Sequence, residues 1–330
     1  MQADGIKKRY DVLGMGAVAV DDILYVENFP QPDEKTRVCR RERQCGGQTG
    51  TALVTVARLG RWAGYIGMLG DCTADGDELS RTVADCFERE GVDLTHCVGR
   101  PDAGVCHATI IVDASTKSRT IFAHVEGRVG ADPLFPSEDV IRSTDVLLVD
   151  HHGLDGTLRA AKIARAAGIA VVGDIERVVP TPTPGGRVKL AEVLPLVDHL
   201  VVPRHFAQEW TGLDDVEQAA GQLWEEGVSG GFNRSAVVVT CGSAGCWYID
   251  ADIAERGAVH CPAFEVKVID TTGCGDVFHG AYCVALVEGM GLAERVRFAS
   301  AAASLKATRR GGQAGIPMRK QLNAFLVERE

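Results

Sequence analysis

Apolar and polar positions along this chain follow two rhythms. From residue 144 onward, short unbroken apolar runs alternate with longer stretches of helical period. Residues 146–149, 169–173, 197–202 and 236–240 read as buried strands, and 154–167 and 216–226 as helices between them. The first hundred residues repeat this pattern once, with an apolar strand over 10–19, a small-residue helix over 46–60, a strand over 63–69 and a helix over 76–90 stopped by Gly91. Interleaved with these are segments of a different kind. Residues 20–27, 35–43, 105–112 and 119–124 are polar or alternate with period two, which predicts a small separate sheet, most simply a lid. Residues 180–186 are a Pro/Gly loop. The chain closes with helices over 275–289, 292–308 and 318–327, the last two joined by a glycine-rich loop, 309–317, fit to wrap a ligand or ion.

Composition narrows the class without changing this picture. With 330 residues, 45% hydrophobic and 24% charged, the chain can bury a sizeable core as one large α/β domain or two smaller ones. A net charge of -10 argues against a nucleic-acid phosphate surface, and the basic clusters Lys7-Lys8-Arg9 and Arg40-Arg41-Glu42-Arg43 are too short to reverse it. No signal segment opens the chain and no apolar run is long enough to span a bilayer, so a cytoplasmic protein is expected. The 11 cysteines form no Cys-x-x-Cys pair and no zinc-like cluster, and are expected as mostly buried free thiols.

Candidate chemistry concentrates in Val268-Ile-Asp-Thr-Thr-Gly-Cys-Gly-Asp-Val-Phe-His-Gly-Ala281. Glycines at 273 and 275 allow close backbone approach to a ligand, and the amides opening the following apolar helix would attract negative charge. Asp276 in the same turn adds a proton acceptor, which suits phosphoryl transfer to a hydroxyl. An ordinary capped helix, with Asp276 as N-cap, explains these residues equally well. Two other nucleotide motifs are excluded. Gly14-x-Gly16-x-x-Ala19 is followed by strand rather than by the helix a dinucleotide fingerprint needs, and the chain contains no Gly-Lys dipeptide for a P-loop. Asp21 and Asp22 lie where one strand hands over to the next, a place for sugar hydroxyls or merely an acidic turn.

Two signatures in order, Gly46-Gly47 through Gly60 and Asp270-Thr-Thr-Gly-Cys-Gly-Asp276, with the Thr240-to-Gly245 turn between them, resemble the ribokinase-like (PfkB) carbohydrate kinases. The resemblance runs from Gly14 to Pro317, and the C-terminal third looks closest to the sulfofructose kinase branch. It implies a single α/β unit over 1–330 with a doubly wound, mostly parallel sheet flanked by helices, and a β lid formed by about 18–43 and 104–125. It implies Asp276 as the base, with Gly273, Cys274 and Gly275 offering amides to the γ-phosphate. It implies that Asp21, Gly46, Gly47 and Gln48 meet the sugar and that Thr240, Gly242 and Gly245 meet ATP. Asp270, Thr272, Ala307 and Gly312 match the loop positions that hold a monovalent cation in potassium-activated members.

Departures from the family pattern bear on substrate and metal. Pro203-Arg-His-Phe-Ala-Gln208 lacks the Asn-x-x-Glu that often organises Mg2+, leaving Asp174 or Glu176 as candidates beside ATP and water. Thr51 stands where a sugar-binding Asn is frequent. His152, after His151, could face the substrate and would bind an anion only when protonated. Cys274, among helix-opening amides, would there have a lowered pKa and react readily, or it merely fills a small-residue slot. A nucleoside kinase of the same fold and a non-catalytic sugar or nucleotide sensor are the rival readings. The lid strands could pair edge to edge in a homodimer.

Overall fold

The structure, a computed structural model, describes residues 9–73, 76–116, 118–178, 186–230 and 234–329. Most of the 180–186 loop therefore lies outside the described residues. The chain begins with β1 (Tyr10–Met15), β2 (Ala19–Val26) and β3 (Val38–Gly46), then enters α1 (Gln48–Arg58). There follow β4 (Ala63–Tyr65), β5 (Met68–Leu69), α2 (Glu78–Glu90), β6 (Val98–Gly99), β7 (Cys106–Asp113) and β8 (Arg119–Val125). After the short α3 (Glu138–Ile141) come β9 (Thr144–Asp150), α4 (Leu154–Ala166), β10 (Ala170–Asp174), α5 (Gly186–Val193), β11 (His199–Pro203), α6 (Arg204–Thr211) and α7 (Val216–Ser229). The last elements are β12 (Ala236–Thr240), β13 (Cys246–Ile249), β14 (Val259–Cys261), α8 (Cys274–Val287), α9 (Leu292–Ala307) and α10 (Arg319–Val327).

Eight strands form the main sheet in the order β14-β13-β12-β11-β10-β9-β1-β4, parallel from β12 to β4, with β13 and β14 antiparallel at one edge. Its central strands carry almost unbroken buried runs, as two-sided cover by helices requires. Separate apolar clusters lie on its two faces, one containing α1 and α8 residues such as Leu53 and Val284, the other containing Ala161, Phe206 and Leu223 from α4, α6 and α7. The strand order reverses between β1 and β9, where the Ala17 amide donates to Asp150 Oδ2 at 2.6 Å. Open α/β sheets bind their ligands beyond the strand ends at such a point.

The small sheet predicted from the alternating segments is present as β3-β2-β7-β8. Strand β3 runs on to Gly46, three residues past the expected end, and so delivers this sheet directly into α1. The strand expected over 63–69 is two strands. β4 pairs with β1, whereas β5 pairs with β6 in a separate ribbon. The break falls at Gly67, where the Tyr65 hydroxyl folds back toward Met68 O at 3.2 Å and Gly16 O at 3.0 Å, in space that a Cβ would fill.

Candidate active site

Helix α8 begins with Gly273 in the left-handed region at φ 76°, and no side chain caps it. Asp276 sits in the first turn rather than at the N-cap, so the capping explanation of this residue does not hold. The first helical bond runs from the Val277 amide to Gly273 O at 2.9 Å, which leaves the amides of Gly275 and Asp276 without an acceptor inside the helix. The Cys274 amide donates instead to Thr271 O at 3.2 Å, so it closes the turn. Every residue from 277 to 285 is buried, which fixes the helix in the core. At Gly280 a Cβ would lie 2.3 Å from Ala52 O, so only glycine permits this close crossing of α8 and α1. The crossing brings the turn against the start of α1 and the C-terminal loop: a Cβ built at Gly273 would stand 3.4 Å from Gly312 Cα, 3.5 Å from Thr51 Cγ2 and 3.7 Å from Asp276 Oδ2.

Carboxylates gather around this helix start from the C-terminal ends of the parallel strands. Asp174, ending β10, accepts from Gln48 Nε2 at 2.9 Å on one oxygen. Its other oxygen lies 3.3 Å from His279 Nδ1, whose hydrogen bond goes to Gly275 O at 2.8 Å, so that oxygen is buried without a hydrogen-bond partner. Burial pushes Asp174 up to about 6, with Asp150 and Glu176 adding to the rise and His279 and Gln48 opposing it. Asp21 is likewise pushed up to about 6 by burial and by Asp22, against the pull of His107. Asp276 is raised well above the ordinary carboxylate range, first by burial, then by the charges of Asp174, Glu176, Asp150 and Asp21. A carboxyl so placed holds a proton more tightly than an exposed aspartate, which suits it to take one from a neighbouring hydroxyl. The unpaired oxygen of Asp174, with Glu176 nearby, is a hard donor set of the kind Mg2+ takes.

The residues expected to meet the acceptor converge from β2, β3 and α1. Gly46 faces Asp21, and a Cβ there would lie 2.8 Å from Asp21 Oδ2. Gly47, at φ 83° and ψ 147°, opens α1 in a conformation essentially reserved for glycine. Gln48 follows with its amide oxygen buried and unpartnered, and Thr51 is buried one turn later. His152 is tied to Asp150 through both its backbone amide, at 2.7 Å, and Nδ1, at 3.2 Å. Burial works against protonation of His152, but the charge and hydrogen bond of Asp150 prevail and raise its pKa. Asp150 itself is held below the usual range: burial raises it, and His152 with His151 more than offsets that.

At the other end of the sheet, Thr240 closes β12 and is followed by the tight turn 242–244. Gly242 has φ 60° with open space around it, whereas a Cβ at Gly245 would strike Cys261 O at 2.1 Å. Both β12 and β10 end on the same edge of the parallel sheet, which puts this turn and Asp174 on one side of the molecule.

Asp270, Thr272, Ala307 and Gly312 also come together. The Asp270 carboxylate accepts from the amides of Thr272 and Gly311, both at 2.8 Å, and Ala307 O accepts from the amides of Ile269 and Asp270. Gln44 Oε1, from β3, accepts from the Gly312 amide at 3.1 Å. Two cations unanticipated from the sequence reach this loop. Arg119 Nη1, from β8, donates to Thr272 Oγ1 at 2.9 Å, and Lys306 Nζ donates to Asp270 O at 2.9 Å. Neither carries a local sequence signal: a basic residue at the start of a polar strand, like one in the last turn of a helix, reads as solvated.

The expectation for Cys274 is overturned. Burial raises its pKa and the charges of Asp270 and Asp276 raise it further, while Lys306 and Arg119 pull the other way. Its Sγ lies 3.5 Å from Ala303 O. The helix-end amides that were to stabilise a thiolate do not compensate for lost solvation. Among the described residues Cys86 is drawn down by its hydrogen bond with Cys45, and Cys261 is drawn down to about 7 by a hydrogen bond from Cys246 that outweighs burial, with His260 and Arg297 adding to it. A limiting alkylating reagent at neutral pH is therefore expected to modify Cys261 before Cys274. Peptide mass spectrometry checks the order, and Cys274 modified first would refute it.

The chain is similar along its length to characterised proteins. A family model described as "pfkB family carbohydrate kinase" matches residues 11–319. A ribokinase from Haemophilus influenzae is 27% identical over 321 residues, covering 94% of this chain and 97% of the relative. Fructokinase-1 of Oryza sativa subsp. japonica is 29% identical, covering 82% of this chain and 85% of the relative. The crystal structure of ribokinase from Thermotoga maritima matches with a TM-score of 0.79 at 26% identity, covering 97% of this chain and all of that one. With a family match over nearly its whole length and the same fold as a solved ribokinase, the chain belongs to the pfkB family of carbohydrate kinases.

Proposed function

We propose that this protein transfers the γ-phosphoryl group of ATP to a hydroxyl of a sugar or sugar derivative. The observation that carries the reading is Asp276: a half-buried carboxyl in the first turn of an uncapped helix whose Gly275 and Asp276 amides have no acceptor within it. In this reading the acceptor hydroxyl lies against Asp276, which takes its proton as the bond to phosphorus forms. The amides of Gly273, Gly275 and Asp276 then meet the charge on the phosphoryl oxygens. Cys274 keeps a place in the turn, but its amide is already spent on Thr271 O.

Asp21, Gly46, Gly47, Gln48, Thr51 and His152 form the acceptor side, and Thr240, Gly242 and Gly245 the nucleotide side. Asp174 and Glu176 would hold Mg2+, which neutralises charge on the phosphates when bound. The sheet β3-β2-β7-β8 acts as the lid. Its strand β8 leaves Ile121 and Val125 exposed on one face, at 52 and 48%, and Phe122 on the other, at 55%, uncovered apolar surface that supports pairing of two lids in a homodimer. Arg119, at the start of that strand, already reaches Thr272 beside the amide cradle, so lid and cradle are joined by one side chain.

The test is an ATP-consumption screen with Mg2+ over ketohexoses, sulfofructose, ketose phosphates, ribose, keto-deoxy sugar acids and nucleosides. The reading expects ADP release that depends on one class of sugar acceptor. Turnover with nucleosides alone would favour the nucleoside-kinase reading, and nucleotide binding without turnover on any acceptor would favour the sensor.

A further inference from the structure

The loop oxygens matched to a monovalent cation do not fit one here, because the protein's own cation is among them. Lys306, in the last turn of α9, is completely buried. Its Nζ donates to Asp270 O at 2.9 Å and lies 4.0 Å from Asp270 Oδ1. Three further candidate oxygens already accept amides: both Asp270 carboxylate oxygens from Thr272 and Gly311, and Ala307 O from Ile269 and Asp270. A potassium ion entering this set would share oxygens that already accept N–H donors and sit within a few ångströms of an ammonium in a poorly solvated place. The chain also makes room for the lysine. At Gly315 a Cβ would come within 3.2 Å of Lys306 Cε, so the stem passes where any other residue would crowd it.

We infer that the Lys306 ammonium does the work of a bound monovalent cation in this protein, holding the 270–272 and 309–315 segments together behind the amide cradle, so that the enzyme needs no potassium. Lys306 is on this account a positioning residue. It touches Asp270, and Asp270 orders the Thr272 and Gly311 amides that flank Gly273 and Gly312. The placement matters because a buried lysine requires fixed acceptors, and here the acceptor is Asp270, whose carboxylate in turn takes the Gly311 amide of the second loop. The inference rests on the phosphotransfer reading for its effect on turnover, but not for its effect on cation binding.

The full-length protein is compared in potassium chloride and in choline chloride of equal ionic strength, by thermal melting without substrate and by turnover on the acceptor found in the screen. Wild type is expected to melt and turn over alike in both salts, against the activation of about 5-fold or more that a coupled cation site would give. Lys306→Ala is expected to melt higher in potassium or ammonium chloride than in choline chloride, because the ion then binds the folded state alone. Its turnover is expected to be low in choline chloride and partly restored by those ions. Potassium activation or stabilisation of the wild type overturns the inference, as does a folded Lys306→Ala variant indifferent to the cation in both readouts. Should that variant fail to fold, the wild-type comparison decides alone. The melting measurement needs no acceptor, so failure here is distinguishable from failure of the kinase reading.

Discussion

Asp276→Asn is expected to lower turnover by roughly 10² to 10⁴ while leaving nucleotide binding in place. The substitution keeps the size of the side chain and removes only its ability to take a proton. The amides of Gly275 and Asp276 belong to the backbone and remain directed out of the helix end, so the phosphates keep their partners. The wild-type pH profile supplies an independent check. Asp276 acts in its ionised form, and its pKa is raised, so kcat/KM falls as pH drops through a value above the ordinary carboxylate range of about 4. The variant should lose that acid limb along with its activity. Comparable turnover in both proteins, or a wild-type acid limb in the ordinary range, removes Asp276 from the role of base.

Gly47→Ala is expected to damage both stability and the acceptor site. The residue sits at φ 83° and ψ 147°, where a side chain costs about 1–3 kcal/mol in backbone strain alone. Here the added Cβ would also lie 2.6 Å from Val18 Cα and 2.7 Å from Ala17 O, both backbone atoms that cannot rotate away. The start of α1 must shift, and with it Gln48, which holds Asp174, and Thr51, which lies against Gly273. A displacement of about 1 Å can cost on the order of 10² in rate. Gly60→Ala is the control: φ is 85°, yet nothing lies within 4 Å of the new Cβ. Melting curves and acceptor kinetics should show a loss of stability in both variants and a loss of kcat/KM in Gly47→Ala alone. Unchanged acceptor kinetics in Gly47→Ala would mean that the position of α1 does not govern the site.

Periodicity made the main sheet legible, because parallel strands covered on both faces must be apolar throughout and their helices must carry a 3.6-residue stripe. The small sheet was legible for the opposite reason, since β2 and β7 alternate and β3 is polar. Local chemistry singled out Gly273, Gly275 and Asp276, because glycine turns and helix starts are short-range features. Groups whose roles depend on long-range contact were not legible. Asp150 looks like an ordinary strand end and Asp174 stands out only as one of two spare carboxylates for Mg2+, and only the sheet register places the two side by side at its C-terminal edge. Lys306 looks like a solvated last-turn cation until α9 buries it. The reversed expectation for Cys274 has the same origin: the helix end is readable in sequence, whereas the burial and the neighbouring carboxylates are tertiary.

Transfer of a phosphoryl group from ATP to a carbon-bound hydroxyl can be followed atom by atom with 31P spectroscopy of the reaction mixture. With Mg2+-ATP and the preferred acceptor, a phosphomonoester signal of the acceptor should grow in step with that of ADP and vanish when the acceptor is withheld. ADP and free phosphate formed at the same rate without acceptor, or bound ATP that persists unchanged with every acceptor, would contradict the account.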